Sequence, residues 1–132
     1  MKIKNTLFEN KFYFKSMEKI HQSEKLSVMD AYQINRLVKK VNELYEEYQE
    51  LKLGLLKKYG EPDKESEDKY IVGSDKRNEF TKEYMTLLDI EHDLETEKLP
   101  FPSKIDEGIT VSDIDVLNIF FDFGFDKDDP AK

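Results

Sequence analysis

The longest hydrophobic pattern in the chain lies in its middle quarter. Seven apolar residues recur there at alternating steps of three and four over about three heptads: Ile34, Leu37, Val41, Leu44, Tyr48, Leu51 and Leu55. Ser27 precedes this apolar stripe as an N-cap, Gly60 follows as a left-handed C-terminal stop, and Pro62 forbids continuation. The pattern predicts one unbroken helix over Ser27–Tyr59, about 50 Å long at 1.5 Å per residue.

A helix of this length cannot cover its own apolar stripe. Another helix, predicted over Leu7–Ile20, can fold back against it as an antiparallel hairpin, which would make the stripe an intramolecular core. Alternatively a second copy of the chain covers the stripe, because a sustained heptad pattern is typical of self-associating helices. The sequence favours an intramolecular core. A homo-oligomer formed through the long helix remains the alternative.

Weaker patterns predict the remaining elements. Lys2–Lys4 and residues 69–72 read as short strands, and the alternation of apolar and acidic residues over 90–95 predicts a half-buried strand. A third helix is expected over Asp75–Asp89 with Ser74 as its cap. A fourth should open at Thr110, with a capping box completed by Asp113, and end at Gly124.

These elements predict an α+β fold that is mainly α. It consists of a long central helix in an antiparallel helical hairpin, two further helices and a small, short-stranded sheet. Its 132 residues are enough for one domain. We expect residues 1–125 to form that domain and residues 126–132 to form an acidic C-terminal tail.

Composition narrows the chemistry. The chain has no cysteine, which excludes disulfides, thiolate-bound zinc, iron–sulfur clusters and cysteine nucleophiles. No apolar run approaches the ~18 residues of a membrane span, and no signal-peptide core is evident, so a soluble protein without membrane contacts is expected.

The charge is unevenly distributed. The net charge is −8, and the segment from Asp106 to Lys132, with eight acidic and two basic side chains, carries −6 of it. Such a segment is usually a solubilising surface or a frayed tail. Alternatively, it docks on a basic partner or imitates nucleic acid through its negative charge. Binding of nucleic acid itself is disfavoured, because an acidic chain repels phosphates. The candidate docking residues are Asp122, Asp126, Asp128 and Asp129.

Candidate chemistry is sparse. The two histidines, His21 and His92, are about seventy positions apart, and no phosphate-binding glycine loop or nucleophile elbow is present. Glu91, His92 and Asp93 cannot chelate one metal from a single strand, because neighbouring side chains point to opposite faces. We therefore expect no catalytic residues, no metal, no cofactor and no enzymatic activity.

Four segments of the chain follow one another in a recognisable order: MKIKN, EKLSVMDAYQINRLVKKVNELYEEYQELKLGLLKKYGE, EFTKEYMTLLDIEHDLE and ITVSDIDVLNIFFDF. KYGE after a long helix and the late T-V-S-D helix start are the most telling pieces. Together the segments resemble a family of short uncharacterised proteins encoded by tailed phages and prophages of Gram-positive bacteria. The similarity covers roughly residues 1 to 123.

The resemblance implies a phage origin and no catalytic residue. A small phage protein without cofactor motifs usually binds another protein, so the first expectation is a virion-associated or assembly factor using its long helix. The alternative is an early inhibitor of a host defence or nucleic-acid enzyme, acting through the acidic C-terminal segment. The partner is then a phage structural protein or a host protein, and the location is the host bacterial cytoplasm or the virion.

Overall fold

Four helices, one 3₁₀ helix and six short strands make up the part of the chain described by the computed structural model. It describes residues 1–102, 104–105 and 108–124, without the side chains of residues 66–68. In chain order the elements are β1 (Lys2–Lys4), the 3₁₀ helix (Asn5–Glu9), α1 (Tyr13–His21), α2 (Val28–Tyr59), β2 (Gly60–Asp63), β3 (Ser66–Val72), α3 (Arg77–Leu88), β4 (Glu91–Asp93), β5 (Leu99–Pro100), α4 (Val111–Leu117) and β6 (Phe121–Asp122).

The long helix α2 is unbroken, as the heptad pattern predicts. Ser27 caps it, since the hydroxyl oxygen accepts a hydrogen bond from the backbone N–H of Asp30 at 3.1 Å. The prediction of a left-handed stop at Gly60 is wrong, because its φ is −108° and the chain passes directly into β2. Glycine fits this position because there is no room for a side chain. A Cβ on Gly60 would lie 2.7 Å from the carbonyl oxygen of Leu56.

Two helices run antiparallel to α2 and confirm the predicted helical hairpin. Along the section of α2 from Asn35 to Tyr45, the ring of Phe14 in α1 contacts Tyr45, while His21, further along α1, lies beside Asn35. On its C-terminal half, Phe80 of α3 contacts Tyr59, and Tyr84, one turn later, reaches Tyr48. The fold is therefore α+β and mainly α, with α2 as its central element.

The strands form three separate two-stranded sheets rather than one small sheet. β1 pairs antiparallel with β4, placing Ile3 opposite His92. β2 and β3 form an antiparallel hairpin at the far end of α2. β5 and β6 pair in parallel, with Leu99 opposite Phe121. In the first and third sheets other elements lie between the paired strands in the sequence, so these pairings join distant parts of the chain.

Three predicted helix ends differ from the structure. α1 begins at Tyr13 rather than Leu7, because the Asn10 side chain accepts a hydrogen bond from Phe12 N–H and forms a local turn. α3 begins after Lys76 rather than Ser74, following a turn closed by a bond from Lys76 N–H to the carbonyl of Gly73. α4 ends at Leu117, well before Gly124, because the chain turns into β6.

The hydrophobic core lies around the N-terminal two thirds of α2. The core residues come from several elements: the β1 and 3₁₀ segment, α1, α2, the end of α3, and the C-terminal α4–β6 unit. The side chains that are fully inaccessible include Ile20, Val41, Leu117, Phe120 and Phe121. The predicted division into a domain over 1–125 and a tail over 126–132 stays a prediction, since residues 125–132 lie outside the described residues.

Candidate interaction surface

The predicted apolar stripe of α2 is covered along only part of its length. Ile34, Leu37, Val41 and Tyr48 are buried, so this section of the stripe is an intramolecular core. Leu44 and Leu55 are half-buried, whereas Leu51 is 54% exposed. The stripe is therefore fully covered by other elements only as far as about Tyr48. About three further turns of α2 continue beyond this residue.

A polar cluster marks the point where the cover ends. The Tyr48 hydroxyl donates to the Glu9 carboxylate at 2.6 Å and lies 3.1 Å from the Tyr84 hydroxyl. The Lys52 ammonium donates to the same Glu9 oxygen at 2.9 Å and lies over the rings of both tyrosines. The cluster joins the 3₁₀ helix, α2 and α3 through one shared carboxylate.

Burial and hydrogen bonding set the protonation states in this cluster. Burial, together with the bond to Glu9, raises the pKa of Tyr48 far above its usual value, so its hydroxyl stays protonated. Burial alone would raise the pKa of Glu9, but the bonds from Tyr48 and Lys52 outweigh it and hold the pKa below its usual value. Glu9 and Lys52 are therefore an ion pair at neutral pH, which makes the cluster a fixed joint between elements.

We call the part of the protein beyond this joint the arm. The arm comprises the part of α2 after Tyr48, the β2–β3 hairpin and the part of α3 before Leu87. No described side chain in it is fully buried. Large hydrophobic side chains are exposed along it: Leu51, Leu53, Ile71 and Met85. The arm thus presents apolar surface without a core of its own.

Aromatic packing and a groove give the arm a defined shape. The rings of Tyr59, Phe80 and Tyr84 stack in series, with centroid separations of 6.3 and 5.6 Å. Beside the hairpin, a groove of about 650 Å³ is lined by Tyr59, Ile71 and charged side chains of both signs. A mixture of apolar and charged side chains is common in protein-binding surfaces.

The acidic residues of the C-terminal segment lie in different environments. Asp122, at the end of β6, is exposed, and its carboxylate accepts a hydrogen bond from Gly124 N–H at 2.8 Å. Asp126, Asp128 and Asp129 lie outside the described residues. Asp113, which contributes to the charge of −6, is only 5% exposed and pairs with Lys19 at 2.6 Å. It is therefore a structural charge and no part of a surface.

Asp113 instead ties α1 to the start of α4. Its carboxylate accepts hydrogen bonds from Ser16 Oγ at 2.7 Å, from Lys19 Nζ, and from Thr110 through its backbone N–H at 2.8 Å and its hydroxyl. The Asp113 N–H in turn donates to the Thr110 hydroxyl, completing the predicted capping box. Burial opposes ionisation, but these donors outweigh it and hold the pKa of Asp113 far below its usual value.

Sequence reasoning missed the polar cluster at Tyr48 and the exposed apolar side chains of the arm. Glu9, Lys52 and Tyr84 meet only through the fold, and no local signal joins them. The exposure of Leu53 could have been anticipated, because Leu53 falls outside the three-and-four spacing of the stripe. Ile71, by contrast, lies within a predicted strand, and which face of the strand is exposed could not be assigned before the strand's partner was known.

The described part of the chain contains neither a candidate metal site nor a candidate membrane span. No group of three or more His, Cys, Asp or Glu side chains is arranged there to hold a metal ion. No described helix is both long enough and apolar enough to cross a bilayer.

Comparison with known proteins adds no relative to this picture. The chain matches no protein-family model, no curated protein and no solved structure.

Proposed function

We propose that this chain is a phage-encoded, non-enzymatic protein that binds another protein through its arm, as a virion-associated or assembly factor. The observation that carries the proposal is the exposed apolar surface of the arm beyond the joint at Tyr48. The resemblance to small phage proteins supports the origin, and the long helix supports a role as an interaction rod.

The exposed arm is costly in free energy without a partner. A two-stranded hairpin without a core is marginal in water, and exposed Leu and Ile side chains gain roughly 25 cal/mol for each Å² of apolar area removed from water. The shared carboxylate of Glu9 holds the base of the arm in place before a partner arrives. A surface positioned in this way loses less conformational entropy on binding.

The test is affinity capture from cells in which the encoding phage is replicating. The tagged wild-type chain is compared with Ile71→Lys, which places a cation opposite Glu61 at the centre of the groove. Ile71 is 59% exposed, so the folded state should change by less than about 0.5 kcal/mol. We expect the wild type to capture phage structural proteins and the variant to lose them.

The matched control is Val111→Lys, which makes a similar change at an exposed apolar residue outside the arm, at the start of α4. It should retain the captured proteins. Capture that survives Ile71→Lys, or a wild-type chain that captures no phage structural protein, would contradict the proposal.

The alternative, an early inhibitor of a host enzyme, stays a prediction because three of its four acidic residues lie outside the described residues. Its test is a charge-neutral variant of the candidate residues, compared with wild type in capture from host lysate. Loss of a host defence or nucleic-acid enzyme would support it, and unchanged capture would remove it. The neutralised residues are Asp122, Asp126, Asp128 and Asp129.

A further inference from the structure

α2 carries a second regular series of residues on the side opposite its buried stripe. From Tyr32 to Leu53 the series advances by alternating steps of four and three, the spacing of a coiled-coil seam. We call this series, with the residues at its two ends, the outer face. All of its members are exposed: Val28, Met29, Tyr32, Arg36, Lys39, Glu43, Glu46, Glu50, Leu53 and Gly54.

The order of chemical types along the outer face is the key observation. Apolar and aromatic residues come first, then two basic residues, then three acidic residues, and then Leu53 with the bare backbone of Gly54. Apart from its chain neighbours and the adjacent backbone of α2, no atom of the described chain lies within 4 Å of the place where a Cβ on Gly54 would sit, so this end is open to close approach. Within the described part of the chain, no ion pair engages the charged residues of this face.

We propose that the outer face binds a second copy of this chain, with the two α2 helices antiparallel about a two-fold axis near the level of Val41. Antiparallel alignment places basic residues opposite acidic ones and apolar residues opposite the open glycine end. Each pair occurs twice, as a two-fold axis requires. The pairs are Val28 with Gly54, Met29 with Leu53, Tyr32 with Glu50, Arg36 with Glu46, and Lys39 with Glu43.

Only this orientation makes the face complementary to itself. In a parallel pair in register, Arg36 and Lys39 would face their own copies, and so would the glutamates, which is repulsive. The self-association left open by the heptad pattern therefore moves from the buried stripe, where Val41 is 0% exposed, to the opposite side of the helix. The proposal does not rest on the function proposed for the arm.

The size of the face predicts a weak dimer. Val28 to Leu53 are 26 residues of α2 and span about 39 Å. A contact of this length and about 10 Å wide buries roughly 800 Å² in total when both partners are counted. That area is below the standard size of a stable interface, so we expect a weak dimer that is populated only at high chain concentration. Because charges dominate it, raising the salt from about 50 mM to about 500 mM should weaken it by about tenfold.

The test is the mass of the full chain in solution, measured by sedimentation equilibrium up to about 1 mM. In the acidic variant, Arg36→Glu and Lys39→Glu leave the outer face with negative charges only. Its dimer should be at least about tenfold weaker than that of the wild type. The control is Lys11→Glu with Lys15→Glu, which makes the same change in net charge on exposed residues of another face and should leave the dimer unchanged.

A basic variant, Glu43→Lys with Glu46→Lys, completes the design. It should not dimerise with itself, but an equimolar mixture with the acidic variant should form a one-to-one complex, and this also keeps the proposal testable if one variant fails to fold alone. A wild-type chain that stays monomeric at 1 mM in low salt would overturn the proposal. So would a dimer that both variants retain, or variants that do not combine. Arg36, Lys39, Glu43 and Glu46 precede Tyr48 and lie outside the arm, so these variants test the dimer while Ile71→Lys tests capture by the arm, and the two proposals fail separately.

Discussion

Replacing Asp113 with alanine should be one of the most destabilising polar substitutions in the described part of the chain. The carboxylate is buried and accepts hydrogen bonds from Ser16, Lys19 and Thr110. Ser16 is 0% exposed, so its hydroxyl would lose its partner where water cannot easily replace it. Lys19 is partly exposed and would return to solvent at little cost.

The magnitude follows from these contacts. A buried donor left without a partner costs about 1–3 kcal/mol, and loss of a helix cap costs about 1 kcal/mol. We therefore expect Asp113→Ala to lower the free energy of unfolding by about 3 kcal/mol, measured by urea denaturation. For a chain of this size the melting temperature should fall by about 10 °C.

Asp115 provides the matched control, because it is an exposed aspartate two residues further along α4. Asp115→Ala should change the free energy of unfolding by less than about 0.5 kcal/mol. If Asp113→Ala costs no more than its control, the carboxylate does not tie α1 to α4 and the reasoning is wrong.

The same carboxylate predicts how stability depends on pH. Its pKa is lower in the folded chain than in the unfolded chain, so acid favours unfolding. The contribution is complete above about pH 5 and is lost as the pH falls below about 4, toward the lowered folded-state pKa. The gap in unfolding free energy between wild type and Asp113→Asn should therefore narrow from pH 5 to pH 2. A constant gap would refute the assignment of this titration to Asp113.

Four further substitutions, three in α2 and one at Gly60 directly after it, can be checked by thermal and urea denaturation. Val41→Asp should unfold the chain, because it buries an unpaired charge at a 0% exposed site, and a folded monomer would contradict an intramolecular core. Tyr48→Phe should cost about 1–3 kcal/mol by removing the hydroxyl that binds Glu9, and a neutral effect would show that the joint contributes nothing. Gly54→Ala should stabilise the helix by up to about 1 kcal/mol, whereas Gly60→Ala should destabilise the chain through its contact with a backbone carbonyl.

The sequence determined those features whose signals are local. The heptad spacing and the cap at Ser27 define α2 because a helix depends on residues within a few positions of one another. The capping box of Thr110 and Asp113 was predictable for the same reason. Lys2–Lys4 was likewise recognisable as a short strand, although its partner β4 was not.

The tertiary structure decided everything that depends on distant pairs. A seven-residue spacing specifies a face to be buried but not how far the cover extends, so Leu51 follows the stripe and is nevertheless exposed where the core ends. Asp113 is recognisable from sequence as a capping residue, but only the fold brings Ser16 and Lys19 to its carboxylate. In the same way, Glu9 and Tyr48 are nearly forty positions apart and share a hydrogen bond. Local preference acts along the chain over a few residues, whereas burial and charge pairing act through space, and only the folded chain determines which groups meet.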